Sequence, residues 1–129
     1  MSKQHELCIF CNLSKQRIFS ENATALAVLD AYPVNPGHSL IIPKRHLLSY
    51  FELRPEEELD LTNLLKQTKL YLDELHNPDG YNVGFNDGVA AGQTVMHMHM
   101  HLIPRYVGDI LEPRGGIRWV LPERAKYWS

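Results

Sequence analysis

The chain lacks any apolar run near the roughly 18 residues needed to cross a bilayer, so no membrane span is expected. It also lacks a basic excess: 13 Lys and Arg stand against 15 Asp and Glu, a formal net charge of −2. That balance gives no electrostatic footprint for nucleic acid as a partner. Internal repeats, low-complexity segments and linkers are absent as well. At 129 residues the chain suits one domain, residues 1–129, built on a single core. Its start, Met1–Glu6, leads into only a few apolar residues, so a secretory signal is not expected and the cytoplasm is the expected location. Cysteine is scarce, and both copies fall in Cys8-Ile9-Phe10-Cys11. A redox pair of thioredoxin type needs a βαβ pattern around it, and none is present. Three readings remain for the pair: half of a tetrahedral metal site, a redox couple, or two small buried residues.

What the chain does have is centred on Gly92-Gln93-Thr94-Val95-Met96-His97-Met98-His99-Met100-His101-Leu102-Ile103-Pro104. Three histidines alternate with Met96, Met98, Met100 and Leu102. Side chains on a strand alternate between faces, so the imidazoles share one face and the apolar residues bury on the other. Such a row suits a His-x-His metal site or nucleophilic catalysis by a neutral imidazole, and local spacing does not separate the two.

The surrounding elements follow from periodicity and breakers. Arg17–Phe19 and Ala25–Leu29 read as strands joined across Ser20-Glu21-Asn22. Two prolines and a glycine force a loop over Ala31–Gly37, and His38–Pro43 resumes an extended run. Asp30, just ahead of the loop, suits a turn cap or an acceptor for a sugar diol. Pro55 to about His76 predicts a long helix: proline suits its first position, and Glu56, Glu57 and Glu58 favour the positive end of its dipole. Leu61, Leu64, Leu65, Thr68, Leu72 and Leu75 form its core-facing stripe. Asn77-Pro78-Asp79-Gly80 stops it, and Tyr81–Asn86 reads as a strand. The Gly- and Ala-rich loop Asp87–Gly92 then feeds the histidine segment, making these two strands antiparallel neighbours. Its small residues let backbone N–H groups approach an anion.

Together these segments resemble the histidine triad family of nucleotide hydrolases and transferases. The family signature His-φ-His-φ-His-φ-φ, with φ apolar, is matched by His97-Met98-His99-Met100-His101-Leu102-Ile103. The resemblance extends through Gly92-Gln93-Thr94 and Pro36-Gly37-His38-Ser39-Leu40-Ile41-Ile42-Pro43 to Asp30, and covers about residues 8–106 with a tail at 107–129. It implies an α+β fold: a five-stranded antiparallel sheet with one long and one short helix, two copies pairing into a ten-stranded dimeric sheet. It further implies nucleotidyl transfer, with dinucleoside polyphosphate hydrolysis as the leading activity. Phosphoramidate hydrolysis and a non-catalytic nucleotide-binding role are the alternatives.

The roles it implies can be placed residue by residue. His99 is the nucleophile toward the α-phosphorus, while His101 and His38 are donors to phosphate oxygens. Gln93 stands near the leaving group and incoming water, which is what favours polyphosphates. Thr94 and Asn86 hold the phosphate, Asp30 binds ribose, and Phe10, Ile18, Phe19 and Leu29 cover a purine. Cys8 and Cys11, with His46 and His97, resemble the ligands of a zinc-bearing subset, implying one structural Zn²⁺ per chain. In the tail, Arg114 and Arg118 suit either a polyphosphate contact or plain surface. Trp119, Tyr127 and Trp128 suit a dimer contact or ordinary packing.

Overall fold

The structure is a computed structural model that describes residues 6–129; Met1–His5, part of the stretch read for a signal, lies outside them. Five antiparallel strands form one sheet: β1 (Ile18–Glu21), β2 (Ala25–Leu29), β3 (Ser39–Pro43), β4 (Gly80–Gly84) and β5 (Met100–Arg105), in the order β1-β2-β3-β5-β4. The long helix α1 (Pro55–His76) packs on one face, and a four-residue helix α2 (Pro122–Ala125) lies in the tail. This is the expected α+β architecture. No helix among the described residues is long and apolar enough to cross a membrane.

The local chemistry explains these elements. Helix α1 opens at Pro55, with Glu57 accepting from the Arg54 N–H at 2.9 Å. It closes at Asn77, which takes the left-handed φ of 47° that asparagine tolerates better than most residues. Leu61, Leu64, Thr68 and Leu72 are buried as the stripe requires, each leucine contributing roughly 2–3 kcal/mol by leaving water. Leu75 is a correction: in the last turn of the helix it is 57% exposed and outside the buried stripe. The first hairpin turns over Asn22–Thr24, two residues later than expected, because the Asn22 side chain accepts from the backbones of Thr24 and Ala25.

Both faces of the sheet bury apolar side chains. Ala25, Ala27 and Ile41 meet Leu61, Leu64 and Met98 on the α1 side. Leu26, Val28, Leu40 and Ile42 meet Phe10 on the other. The histidine segment is strand only from Met100 onward. Before that the ladder stops: β3 is paired only as far as Met100, and β4 ends opposite His101. The Met98 N–H instead donates to the Leu47 carbonyl at 2.8 Å. The alternation of faces survives, with Met98 and Leu102 buried, but Met96 is 43% exposed.

Candidate functional site

On the sheet face away from α1, one row of paired positions crosses all five strands: Ile18, Val28, Leu40, His101 and Gly84. Two residues further along lie Asp30, His38, Ile103 and Asn82, with the Asp30 N–H donating to the His38 carbonyl at 2.9 Å. The site is therefore laid out by strand register.

Hydrogen bonding fixes each imidazole. His99 Nδ1 lies 2.8 Å from the His97 carbonyl, and a carbonyl can only accept, so Nδ1 carries the proton and Nε2 keeps a free lone pair. His38 Nδ1 accepts from the Val34 N–H at 3.1 Å, which puts its proton on Nε2. That Nε2 faces His101 Nδ1 at 2.9 Å, so His101 accepts there and carries its own proton on Nε2. The chain Val34, His38, His101 thus leaves one outward N–H beside one outward lone pair. Burial, then the neighbouring His99 and His38, push the His101 pKa down to about 4; the weaker pull of Asp30 opposes this. His38 is also lowered, by burial against the opposing charge of Asp30. Both rings are therefore neutral near pH 7.

Two expectations change at this point. His38 has both nitrogens engaged inside the fold, so it reaches a phosphate only through His101. Gln93 is 3% exposed and fully committed: its oxygen accepts from the Gly88 N–H at 2.8 Å, and its amide donates to the Leu48 and Val95 carbonyls at 3.0 and 3.2 Å. It holds the glycine loop in place and does not face a leaving group. Asn86 and Thr94 are exposed, and Asn86 lines a cavity with His38 and His101. Asp30 caps the turn that follows it and also faces the histidines. One oxygen accepts from the Tyr32 N–H at 2.8 Å, and the other lies 3.5 Å from His38 Nε2.

The purine-covering set divides. Phe10 stands edge-on to His99, with centroids 4.9 Å apart, and Ile18 packs on the same cluster. Phe19 does not belong: a bulge between Ile18 and Ser20 accompanies its turn to the helix side, where it stacks on Tyr71 at 5.5 Å. Leu29 does not either, since it alternates away from Asp30 and is 53% exposed. The apolar residue on Asp30's face is Val28, fully buried beside Phe10 and Leu40. Its two-residue offset from Asp30 was the available signal.

Cys8, Cys11, His46 and His97 bring four ligand atoms within 4.8 Å of one another. Cys11 Sγ lies 3.2 Å from His46 Nδ1 and 3.5 Å from His97 Nδ1, and Cys8 Sγ lies 3.4 Å from His97 Nδ1. Tetrahedral zinc, with bonds of about 2.3 Å to sulfur and about 2.0 Å to nitrogen, requires S···N edges of about 3.5 Å. His97 donates from Nε2 to the Pro43 carbonyl at 2.8 Å, which directs the Nδ1 lone pair at the thiols. Burial and Cys8 push the Cys11 thiol up to about 11, a penalty that a bound cation reverses. The donor set fits zinc. Asp30, His38 and His101 are also clustered, but a metal there needs a lone pair on His38 Nε2, and that nitrogen holds its proton.

Arg114 and Arg118 are engaged within the tail. Arg114 pairs with Glu112 at 2.9 Å and covers the Trp128 ring at 4.4 Å. Arg118 donates to the Ala125 and Arg124 carbonyls and covers Tyr127 at 4.8 Å. Trp119 donates to the Arg114 carbonyl at 2.8 Å. These contacts fold the tail on itself.

Known proteins share this arrangement. Adenosine 5'-monophosphoramidase hnt1 of Schizosaccharomyces pombe is 39% identical over 102 residues, 76% of this chain and 74% of that one. The asymmetrical bis(5'-nucleosyl)-tetraphosphatase of the same organism is 34% identical over 96 residues, 74% and 53% of the two chains. A Zn-bound histidine triad family protein from Mycobacterium smegmatis superposes with a TM-score of 0.73 at 36% identity, covering 84% of this chain and 81% of that one. The HIT domain model matches residues 13–108, which hold all three histidines of the row, and on that match the chain belongs to the HIT domain family.

Proposed function

We propose that the chain is a nucleotidyl hydrolase that cleaves the linkage at the α-phosphorus of a purine nucleotide through a covalent nucleotidyl-histidine at His99. The observation that carries this is the Nδ1–H of His99 held by the His97 carbonyl, which leaves Nε2 as a nucleophile beside the outward N–H of His101. Nε2 attacks phosphorus, forming a P–N bond as the bond to the leaving group breaks. The ring is then cationic, and the His97 carbonyl stabilises its Nδ1–H. Water next attacks phosphorus and loses a proton to solvent, the P–N electrons return to Nε2, and the nucleoside monophosphate departs. His101 donates to a non-bridging oxygen throughout, with His38 fixing its tautomer. Asp30 takes the ribose hydroxyls, Thr94 and Asn86 the phosphate, and Phe10 and Ile18 the base, with the buried Val28 supporting them from below.

Two substrate classes fit this chemistry, dinucleoside polyphosphates and nucleoside phosphoramidates. Gln93 favoured the first in sequence, and its internal hydrogen bonds remove that support. The four-ligand cluster would take one structural zinc, fastening Cys8–Cys11 to the fold without touching phosphorus. The free edge of β4 lies beside a hollow lined by Leu65, Leu70, Tyr81, Val83, Leu102 and the stems of Lys66 and Lys69, and its mainly apolar surface supports pairing of two copies into a ten-stranded sheet. The decisive experiment is trapping: acid-quenched protein carries labelled nucleotide on His99, and His99→Ala binds nucleotide without turnover. Turnover retained in His99→Ala overturns the assignment, and tight binding with no turnover by the unmodified chain points to a non-catalytic role.

A further inference from the structure

Two tight turns meet where β3 begins and β5 ends. Asn35-Pro36-Gly37-His38 leads into β3 and is closed by the His38 N–H donating to the Asn35 carbonyl at 3.1 Å. Proline in second place and a glycine at φ 90° in third make it a type II turn. Tyr106-Val107-Gly108-Asp109 leaves β5 and closes the same way, the Asp109 N–H donating to the Tyr106 carbonyl at 3.0 Å, with Gly108 also at φ 90°.

Side chains lock the two turns together. Asn35 donates to the Asp109 carboxylate at 2.7 Å and to the Pro104 carbonyl at 3.0 Å. The Tyr106 hydroxyl donates to the Pro36 carbonyl at 2.7 Å. Asp109 is itself fixed: Arg105 reaches both of its oxygens at 2.8 Å, and the Tyr106 N–H donates at 3.0 Å. Arg105 first, then that N–H, holds its carboxyl well below the usual carboxylate range, so it stays charged.

One residue before Asn35 stands Val34, whose N–H donates to His38 Nδ1 at 3.1 Å. The Val34 side chain is 66% exposed and anchors little, so the place of that N–H depends on Asn35. What depends on the N–H is direction. The hydrogen bond between His38 Nε2 and His101 Nδ1, 2.9 Å apart, can run either way. The Asp30 carboxylate lies 3.5 Å from the first nitrogen and 4.0 Å from the second, so it favours a proton between them without choosing its owner. The Val34 N–H makes the choice. It bars a proton from His38 Nδ1, which puts one on His38 Nε2 and turns the N–H of His101 outward. Reversed, the pair would aim a His101 lone pair at the phosphate oxygens.

Resting on the nucleotidyl-histidine reading above, we propose that Asp109 is a positioning residue: through Asn35 it seats the Val34 N–H on His38 and so fixes which nitrogen of His101 carries the proton. It acts at a distance, through one side chain and one backbone N–H.

The test reads the tautomers directly. In the full chain supplied with zinc and labelled with nitrogen-15 histidine, two-bond proton–nitrogen spectra at neutral pH tell protonated from bare ring nitrogens. His38→Gln and His101→Gln assign the signals. The unmodified chain shows a bare Nδ1 and a protonated Nε2 on both rings. Asn35→Ala and Asp109→Ala each move His38 Nδ1 toward the protonated position and His101 Nε2 toward the bare one. Hydrolysis of an adenosine 5'-phosphoramidate or a diadenosine polyphosphate, whichever the chain turns over, then loses about tenfold in kcat at unchanged KM, short of the hundredfold or more that outright loss of an oxyanion donor costs. Glu112→Ala, which releases Arg114 elsewhere in the tail, changes neither rings nor rate. Thermal melts check folding. Should Asp109→Ala not fold, Asp109→Asn, which breaks the two-point grip of Arg105, carries the same expectation. Ring signals left in place by the Asn35 and Asp109 variants overturn the proposal whatever the rate, and shifted rings at unchanged kcat overturn its link to turnover. No turnover by the unmodified chain overturns the nucleotidyl-histidine reading instead, while the ring signals still decide whether Asp109 sets the tautomers.

Discussion

Acid should destabilise this fold through His101, and the size of the effect follows from its surroundings. Its folded-state pKa is pushed down to about 4 by burial and by His99 and His38, whereas an unfolded histidine titrates near 6.5. Between those values the unfolded chain binds the extra proton, so stability is full above about pH 6.5 and falls as pH drops toward 4. The 2.5-unit gap amounts to about 3 kcal/mol once complete, and about 2 kcal/mol of it is lost by pH 5. The side chain is 24% exposed, so screening trims this only moderately. Protonation of the metal ligands also destabilises in acid, and so does the lowered His38. The measurement is therefore a difference: urea unfolding of the unmodified chain and of His101→Asn, each at pH 8 and pH 5. The unmodified chain should lose about 2 kcal/mol more than the variant. Parallel losses, agreeing within about 0.5 kcal/mol, refute the reasoning, because they mean His101 is solvated or already charged in the folded state.

Glu57→Gln should cost about 2–3 kcal/mol in chemical denaturation. It halves a pair in which Arg45 reaches both carboxylate oxygens, at 2.8 and 3.0 Å, beside a glutamate only 4% exposed. Because Arg45 precedes His46, the same variant should weaken zinc retention against a chelator. The bidentate arginine also holds the Glu57 carboxyl down to about 2, so this contribution should be full above about pH 4.5 and fall away progressively toward pH 2. Gln93→Ala should lower stability by about 1–3 kcal/mol, because it leaves the Gly88 N–H and the Leu48 and Val95 carbonyls short of a partner. A purely catalytic role for Gln93 would leave the unfolding midpoint untouched.

Much of this was legible in the sequence, for reasons that differ by element. Helix α1 shows both ends, because Pro55 and Asn77 act locally, and its face, because four buried positions repeat at helical spacing. The triad's shared face was readable from alternation alone. Its departure from strand geometry over 95–99 was not, since it depends on where pairing with β3 and β4 ends and on the Met98 N–H turning to the Leu47 carbonyl, contacts with distant segments. Gln93 shows the limit of spacing arguments: position beside Thr94 says nothing about which way an amide turns, and tertiary burial decided it. Val28 was within reach, because it shares a face with Asp30 by parity. Val34 was not, because its contribution to His38 is a backbone N–H with no side-chain signature.

The four-ligand cluster and the nucleophile share His97, and the structure separates what each draws from it. Its carbonyl, the acceptor for His99, is fixed by bonds that involve no metal. Its own ring donates to the Pro43 carbonyl at 2.8 Å, and the next N–H, that of Met98, donates to the Leu47 carbonyl at 2.8 Å. The ligand bonds would instead fasten the segment Cys8–Cys11, and inside that segment sits Phe10, 8% exposed and packed against His99. Removing metal should therefore free the base platform while leaving the nucleophile oriented. Burying one phenylalanine is worth about 1.5–3 kcal/mol, and since substrate covers only part of the ring the lower end applies, roughly a tenfold rise in KM. In chelator-treated protein, with metal loss confirmed by elemental analysis and assays run below the lowered melting temperature, KM should rise about tenfold and kcat should stay within about threefold. Cys11→Ser should reproduce the pattern without chelator. A collapse of kcat at unchanged KM is the opposite outcome, and it would mean that the ring of His97, once released from the metal, takes its carbonyl and the orientation of His99 with it.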